Sequence, residues 1–168
     1  MGIALEMANQ LLGEGDVIVY TEGENSEKSI EIANGMGAFQ DTPLVILVDE
    51  TSASASEILA GTIQDNDRGT IIGRRTFGKG LVQQPIELSD GSMLRLTIAR
   101  YYTPSGRCIQ KPYSKGDSEQ YALDLIDRYN RGEYFSEDSI HFDESLVYYT
   151  KKGRTVYGGG GIMPDIFV

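Results

Sequence analysis

"VILVDETSASASEILAG", Val45–Gly61, changes its period halfway along. The apolar run that starts at Leu44 and ends at Val48, before Asp49-Glu50, is the pattern of a central strand buried on both faces. Beyond the serines the spacing turns helical. Ile58, Leu59, Thr62 and Ile63 share a face, Glu57 stands in the first turn, and "DNDRG" (65–69) closes the segment. The stretch therefore reads as strand, tight turn, helix. A serine at such a junction stands at the carboxyl end of a sheet, beside the unpaired N–H groups of a first helical turn, which can stabilise an oxyanion. Ser52, Ser54 and Ser56 alternate there. Turn formation and N-capping account for all three equally well from this stretch alone.

Outward from the junction, Ile3, Met7, Ala8, Leu11 and Leu12 fall at helical spacing before Gly13 and Gly15, which predicts an amphipathic helix over 3–12. "DVIVYTEG" (16–23) and "TIIG" (70–73) read as short strands. "GLVQQPIEL" and "SMLRLTIARYYT" flank Ser89-Asp90-Gly91, so 80–103 is a hairpin on an Asp-Gly turn. Residues 105–140 are polar, with an acidic helix in "SEQYALDLIDRYN", and read as a surface excursion. "ESLVYYTKKGRTVYGG" is a second hairpin, and Gly158–Gly161 lead to Met163-Pro164-Asp165. Helix and strand alternate early and hairpins dominate late. The expected class is α/β, a mixed sheet with flanking helices, and 168 residues suit a single domain over 1–168.

Composition removes several functions. Fifteen Lys and Arg against 25 Asp and Glu give a net charge of −10, which repels a phosphate backbone, so no nucleic-acid partner is expected. No apolar run reaches the roughly 18 residues of a membrane span, and the first residues lack a basic segment and a cleavage site. A single cysteine, Cys108, excludes an internal disulfide and a cysteine-rich metal site, and neither metal nor cofactor is expected.

"GRRTFGKG" (73–80) has P-loop spacing, but Gly80 stands where the Mg²⁺-binding hydroxyl belongs, and the alternating residues after Lys79, with Pro85 among them, argue for a strand rather than a phosphate-binding helix. Lys79 alone reads as a solvated lysine in a glycine-rich turn. The serine junction adds a second possibility, because a serine hydroxyl needs a base before it is a good nucleophile. The only histidine, His141, lies in the polar excursion with nothing to bring it to the sheet end. A lysine can serve when apolar surroundings such as Phe77, Leu81 and Val82 favour its neutral form.

The 45–110 stretch, with "GGGGIMPD" near the end, resembles the carboxyl-terminal processing peptidases, or tail-specific proteases, of the S41 serine peptidases. The likeness covers most of 1–112 and the last dozen residues. It implies a ClpP/crotonase-like peptidase core in which Ser54 is the nucleophile, Lys79 the base and Gln83 the residue that holds the lysine, with the Ala55 N–H in the oxyanion hole. Gln83, two pleats along a strand, would face the same side as Lys79. Ser52 and Ser56 keep a capping role, with Glu57 a first-turn acid favoured by the helix dipole. The resemblance also implies protein or peptide substrates bound as an added strand, a periplasmic or cell-envelope location, and compatibility with an oligomer. Family members carry a signal or membrane anchor, a PDZ domain, and an Asn-Gly-Gly-type segment that supplies the second oxyanion donor; none of these occurs in this sequence. The chain is therefore expected to be a partial catalytic core, with membrane contact only through parts it lacks, little peptidase activity alone, and Met1 and Gly2 foreign to the natural sequence. A non-catalytic peptide-binding relative of the same fold is the alternative.

Overall fold

Two periods of burial run through the computed structural model, which describes residues 2–114, 116 and 118–168. In chain order the elements are α1 (Gly2–Leu11), β1 (Val17–Gly23), β2 (Ser26–Ile32), β3 (Val45–Val48), α2 (Ala55–Asp65), β4 (Thr70–Gly73), β5 (Leu81–Glu87), β6 (Met93–Tyr102), α3 (Ser118–Asn130), β7 (Val147–Tyr149), β8 (Thr155–Tyr157) and β9 (Ile166–Phe167). Met1 lies outside the described residues, and Gly2 opens α1. No helix among them is long and apolar enough to cross a membrane.

The class is α/β, as expected, but the strands do not join into one mixed sheet. An antiparallel sheet has the order β2-β1-β6-β5, a parallel sheet the order β3-β4-β9, and β7–β8 is a separate hairpin. β3 runs parallel to β4 with Val45 opposite Thr70 and Val48 opposite Gly73, so α2 is the crossover helix of a β–α–β unit. Both sequence hairpins form, with Gly91 and Gly153 at positive φ in their turns. Pro85 is tolerated because β5 is an edge strand.

β3 departs from expectation. It lies at the edge of its sheet, with Val48 buried but Val45 and Leu47 55% and 77% exposed. The side chains alternate between inside and outside rather than being covered on both faces. α1 is rotated relative to the predicted face: Ala4, Ala8 and Leu12 are buried, while Ile3 and Met7 are exposed.

α2 is the centre of the core. Ile58, Ala60 and Ile63 are buried against Ile18, Ile71, Ile109 and Ile162. Burying each isoleucine side chain is worth about 1.5–3 kcal/mol. Polar residues of α2 are buried only where they are paired: Asp65 meets Arg107 at 2.7 Å with neither side chain exposed. That pair shows that 105–140 is more than a surface excursion. α3 forms over the predicted residues, but Arg107, Gln110, Lys111, Arg128 and Glu133 are buried and pack behind the site described next.

Candidate functional site

The junction between β3 and α2 is a tight turn built on Asp49. Its carboxylate accepts the Thr51 N–H (2.9 Å), the Thr51 hydroxyl (2.7 Å), the Ser52 N–H (2.9 Å) and the Ser52 hydroxyl (3.1 Å). The Thr51 hydroxyl, together with these other donors, holds the Asp49 carboxyl below the usual carboxylate range, against the opposing effect of burial. Ser52 is thus a turn residue. The N-cap of α2 is Ser54 itself, and Ser56 is an exposed residue inside the first turn. Ser54 has φ 55° and ψ −111°. That is the mirror image of the first central residue of a type II turn, a place suited to glycine, and it costs a serine about 1–3 kcal/mol. A strained serine on a sharp strand-to-helix turn is how hydrolases present a nucleophile above a sheet. The following residue, Ala55, opens α2, and its N–H has no partner among the described residues.

The Lys79 loop is bonded through almost every backbone group. The Phe77 N–H donates to the Ser52 carbonyl (2.9 Å), Gly78 O accepts the Lys111 N–H (2.9 Å), and Gly80 O accepts the Tyr101 N–H (2.8 Å). The Gly80 N–H donates to Gln110 Oε1 at 2.9 Å. Gly78 has φ +88°, and a Cβ there would stand 3.0 Å from Lys111 Cβ; one on Gly80 would stand 2.8 Å from the Gln110 nitrogen. Both glycines are required by close approach, not by looseness. The loop runs into strand β5, so the helix N-terminus that a bound phosphate needs is missing.

Glu57 joins the two segments. It is fully buried. Oε2 accepts the Ser54 N–H and the Lys79 N–H, each at 2.8 Å, while Oε1 accepts the Gly78 N–H at 2.6 Å and the Thr76 hydroxyl at 2.5 Å. One carboxylate oxygen therefore fixes the backbone of both candidate residues. The Ser-x-x-Glu spacing of a capping box was visible in the sequence, and the bond from the Ser54 N–H is half of such a box. The bonds to the lysine loop were not visible, because they span 19 to 22 residues. Behind the loop, Arg128 donates to the Thr76 and Arg75 carbonyls at 3.0 and 2.7 Å and pairs with Glu133 at 2.7 Å. Sequence patterning offered no signal for Gln110, Lys111, Arg128 or Tyr101.

Lys79 is half-buried, and its amine has no hydrogen-bond or ion-pair partner among the described residues. Phe77, expected beside it, turns its ring to Lys111, whose amine lies 3.9 Å from the ring centroid. Gln83, on β5, donates its amide to the Thr97 hydroxyl at 3.4 Å, and β5 and β6 slip register between Val82 and Gln83. His141 is exposed, bonds the Ser139 carbonyl through Nδ1, and lines a cleft of about 240 Å³ formed by Gly158–Gly161 that includes neither Ser54 nor Lys79. On the other side of the junction an apolar groove of about 750 Å³, lined by Ile3, Met7, Leu47, Ala55 and Leu59, lies between α1, β3 and the first turn of α2.

Comparison with known proteins converges on one family. The family model described as peptidase family S41 matches residues 1–120. A chloroplastic C-terminal processing peptidase of Tetradesmus obliquus is 45% identical over 107 residues, 64% of this chain and 23% of that protein. A carboxyl-terminal-processing protease of Synechocystis is 51% identical over 94 residues, 56% of this chain and 22% of the relative. The solved photosystem II D1 C-terminal processing protease superposes with a TM-score of 0.60 at 43% identity, covering 65% of this chain and 28% of that structure. The chain thus spans about a quarter of the length of the curated relatives it matches.

Proposed function

Because this chain belongs to peptidase family S41, we propose that it forms, as a single unit, the catalytic part of a serine endopeptidase that cleaves peptide bonds near the C-termini of proteins. The observation that carries this reading is the Glu57 carboxylate, whose one oxygen holds both the Ser54 and the Lys79 N–H. In the proposed reaction Ser54 Oγ attacks the peptide carbonyl as neutral Lys79 takes its proton. The Ala55 N–H stabilises the oxyanion, and Lys79 delivers the proton to the leaving amine. Water then hydrolyses the acyl-enzyme. Gln83, whose amide bonds the Thr97 hydroxyl in this structure, would steady Lys79 by turning that amide to the lysine amine. The Lys79 amine and the Ala55 N–H, both without partners among the described residues, support these roles, as does the strained backbone of Ser54. The open edge of β3 and the apolar groove beside Ala55 support a peptide substrate bound as an added strand. Relatives named as chloroplastic and as cyanobacterial processing proteases support a compartment outside the cytoplasm, which in a bacterium is the periplasm or envelope.

Two substitutions test the assignment. Ser54→Ala is expected to abolish both peptide cleavage and covalent labelling by a fluorophosphonate, and Lys79→Ala to slow labelling by about 10²–10⁴. Equal rates in wild type and both variants reject the dyad. The sequence lacks the Asn-Gly-Gly-type segment that supplies the family's second oxyanion donor. Peptide turnover by these 168 residues alone is therefore set about 10²–10³ below that of a complete oxyanion hole.

A further inference from the structure

Arg75 has donors left over beside the cleft at Gly158–Gly161. Glu133 takes its Nε and Nη2 at 2.7 and 2.8 Å, a two-point grip that fixes the guanidinium. A guanidinium carries about five N–H donors, and the rest, on Nη1 and the far side of Nη2, have no partner among the described residues. The side chain is 14% exposed and lines the cleft of about 240 Å³ together with Arg131 and His141. Gly160 is the wall in front of it. A Cβ on this residue would stand 3.1 Å from Arg75 Nη1 and meet nothing else within 4 Å. Gly159 and Gly161, at φ +77° and +86°, need glycine for their backbone, whereas Gly160 is not in that region; what its missing side chain keeps open is the space before Nη1. The N–H groups of Gly158, Gly159 and Gly161 all donate to carbonyls, and that of Gly160 has no partner among the described residues.

The local charge suits an anion. Glu133 is shared by three guanidiniums, Arg75 and Arg128 at 2.7 Å and Arg131 at 3.9 Å. The two carboxylates that line the cleft are already engaged, Asp124 by Lys111 at 3.0 Å and Asp143 by the N–H and hydroxyl of Ser145. Four cations therefore stand against three carboxylates, in a chain that holds 15 Lys and Arg against 25 Asp and Glu. Burial, and after it the charge of Arg128, push the Arg75 guanidinium below the ordinary arginine range in spite of Glu133.

We propose that this cleft is a binding site for one oxyanion group, a carboxylate or a phosphate, held by the free edge of Arg75 and the Gly160 N–H, with Arg131 and His141 at its rim. The planar fork of an arginine matches two oxygens of either group. His141 Nδ1 lies 3.0 Å from the Ser139 carbonyl, which can only accept, so Nδ1 is the donor there and Nε2 is left for the ligand. The cleft is smaller than the roughly 300–1,000 Å³ of drug-sized ligand pockets, so it takes a single anionic group rather than a nucleotide. It contains neither Ser54 nor Lys79, and the site stands whether or not those two form a dyad.

The 168-residue chain is titrated with inorganic phosphate and, separately, with N-acetyl-alanyl-alanine, at an ionic strength held by sodium chloride, while NMR follows the ring signals of His141, the only histidine. A saturating shift is expected. Saturation by phosphate marks free phosphate as the ligand; saturation by the peptide acid alone, with its C-terminal amide inert, marks a protein or peptide carboxylate. No saturation by either, or a shift that merely follows ionic strength, overturns the site. Gly160→Ala is expected to weaken binding about 10–100-fold, the effect of hydrogen bonds to a charged group, with the melting temperature unchanged because the backbone there accepts a Cβ. Wild-type affinity in Gly160→Ala puts the anion elsewhere and overturns the proposal. Should that variant melt lower, Arg131→Gln decides instead: this side chain is 48% exposed, its loss is expected to weaken the same binding several-fold, and unchanged affinity overturns the site.

Discussion

The junction that presents Ser54 and the loop that presents Lys79 are both rigid, but they draw their rigidity from different distances along the chain. The junction is tied from within, by Asp49 to Thr51 and Ser52 and by Glu57 to Ser54. The lysine loop makes no such local bonds. Its N–H and C=O groups go to Ser52, Glu57, Tyr101, Gln110 and Lys111, and Arg128 holds the carbonyl of Thr76 just before it. A short-range turn can hold a strained serine because its partners come with the turn. A glycine-flanked loop has no stiffness of its own and must be clamped by the rest of the fold.

Glu57 is the side chain that bonds both Ser54 and Lys79, so its loss should be the largest effect. Glu57→Gln keeps the shape but turns an NH₂ toward N–H donors that now lack an acceptor. Buried unsatisfied donors of this kind cost about 1–3 kcal/mol each. A loss of about 3 kcal/mol in urea unfolding is expected, with a larger proportional loss of Ser54 labelling, because serine and lysine are released together. A variant within about 0.5 kcal/mol of wild type would mean that the two regions are held independently.

The same distinction explains what could be read before the fold was known. The strand, turn and helix around Ser54 were legible, since a change from apolar run to helical spacing and a Ser-x-x-Glu pair are local signals. Both hairpins were legible through Asp-Gly and Lys-Gly turns. The edge position of β3 was not, because a short apolar run such as Leu44–Val48 looks the same whether one neighbour covers it or two. β2 was missed because its Ser, Glu and Lys residues sit exposed at a sheet edge and give little apolar alternation. For the site, the resemblance pointed to Ser54, Lys79 and Gln83, whereas the groups that clamp the lysine loop from 101–128 are far from it in sequence and carry no pattern. Residues 105–140 read as surface because Arg107, Arg128 and Glu133 are charged; they are buried as paired charges, which composition does not reveal.

Gly78→Ala probes the lysine side alone. The residue has φ +88°, and its Cβ would press to 3.0 Å on Lys111 Cβ and 3.1 Å on the Gly161 nitrogen. Lys111 cannot retreat without losing its backbone bond to Gly78 O, and the Gly161 N–H is tied to the Ile109 carbonyl, so a loss of about 2 kcal/mol is expected in thermal or urea unfolding. No loss would show that the loop is mobile enough to absorb a methyl group, which contradicts a clamp.

Ser54→Gly makes the reverse change on the serine side, and its sign is the sharpest test of the comparison. At φ 55° and ψ −111° the serine is strained by about 1–3 kcal/mol, and glycine is not. Against that relief, glycine adds about 0.5–1 kcal/mol of backbone entropy to the unfolded chain and loses a few tenths as an N-cap. The Glu57 bond survives, because it is made by the backbone N–H. The net expectation is a chain about 1 kcal/mol more stable that no longer labels. A stabilised, unreactive variant means that the junction stores strain in order to present the hydroxyl. If the variant is instead destabilised by 1 kcal/mol or more, the hydroxyl itself holds the turn together, and Ser54 is a structural cap rather than a residue held out for chemistry.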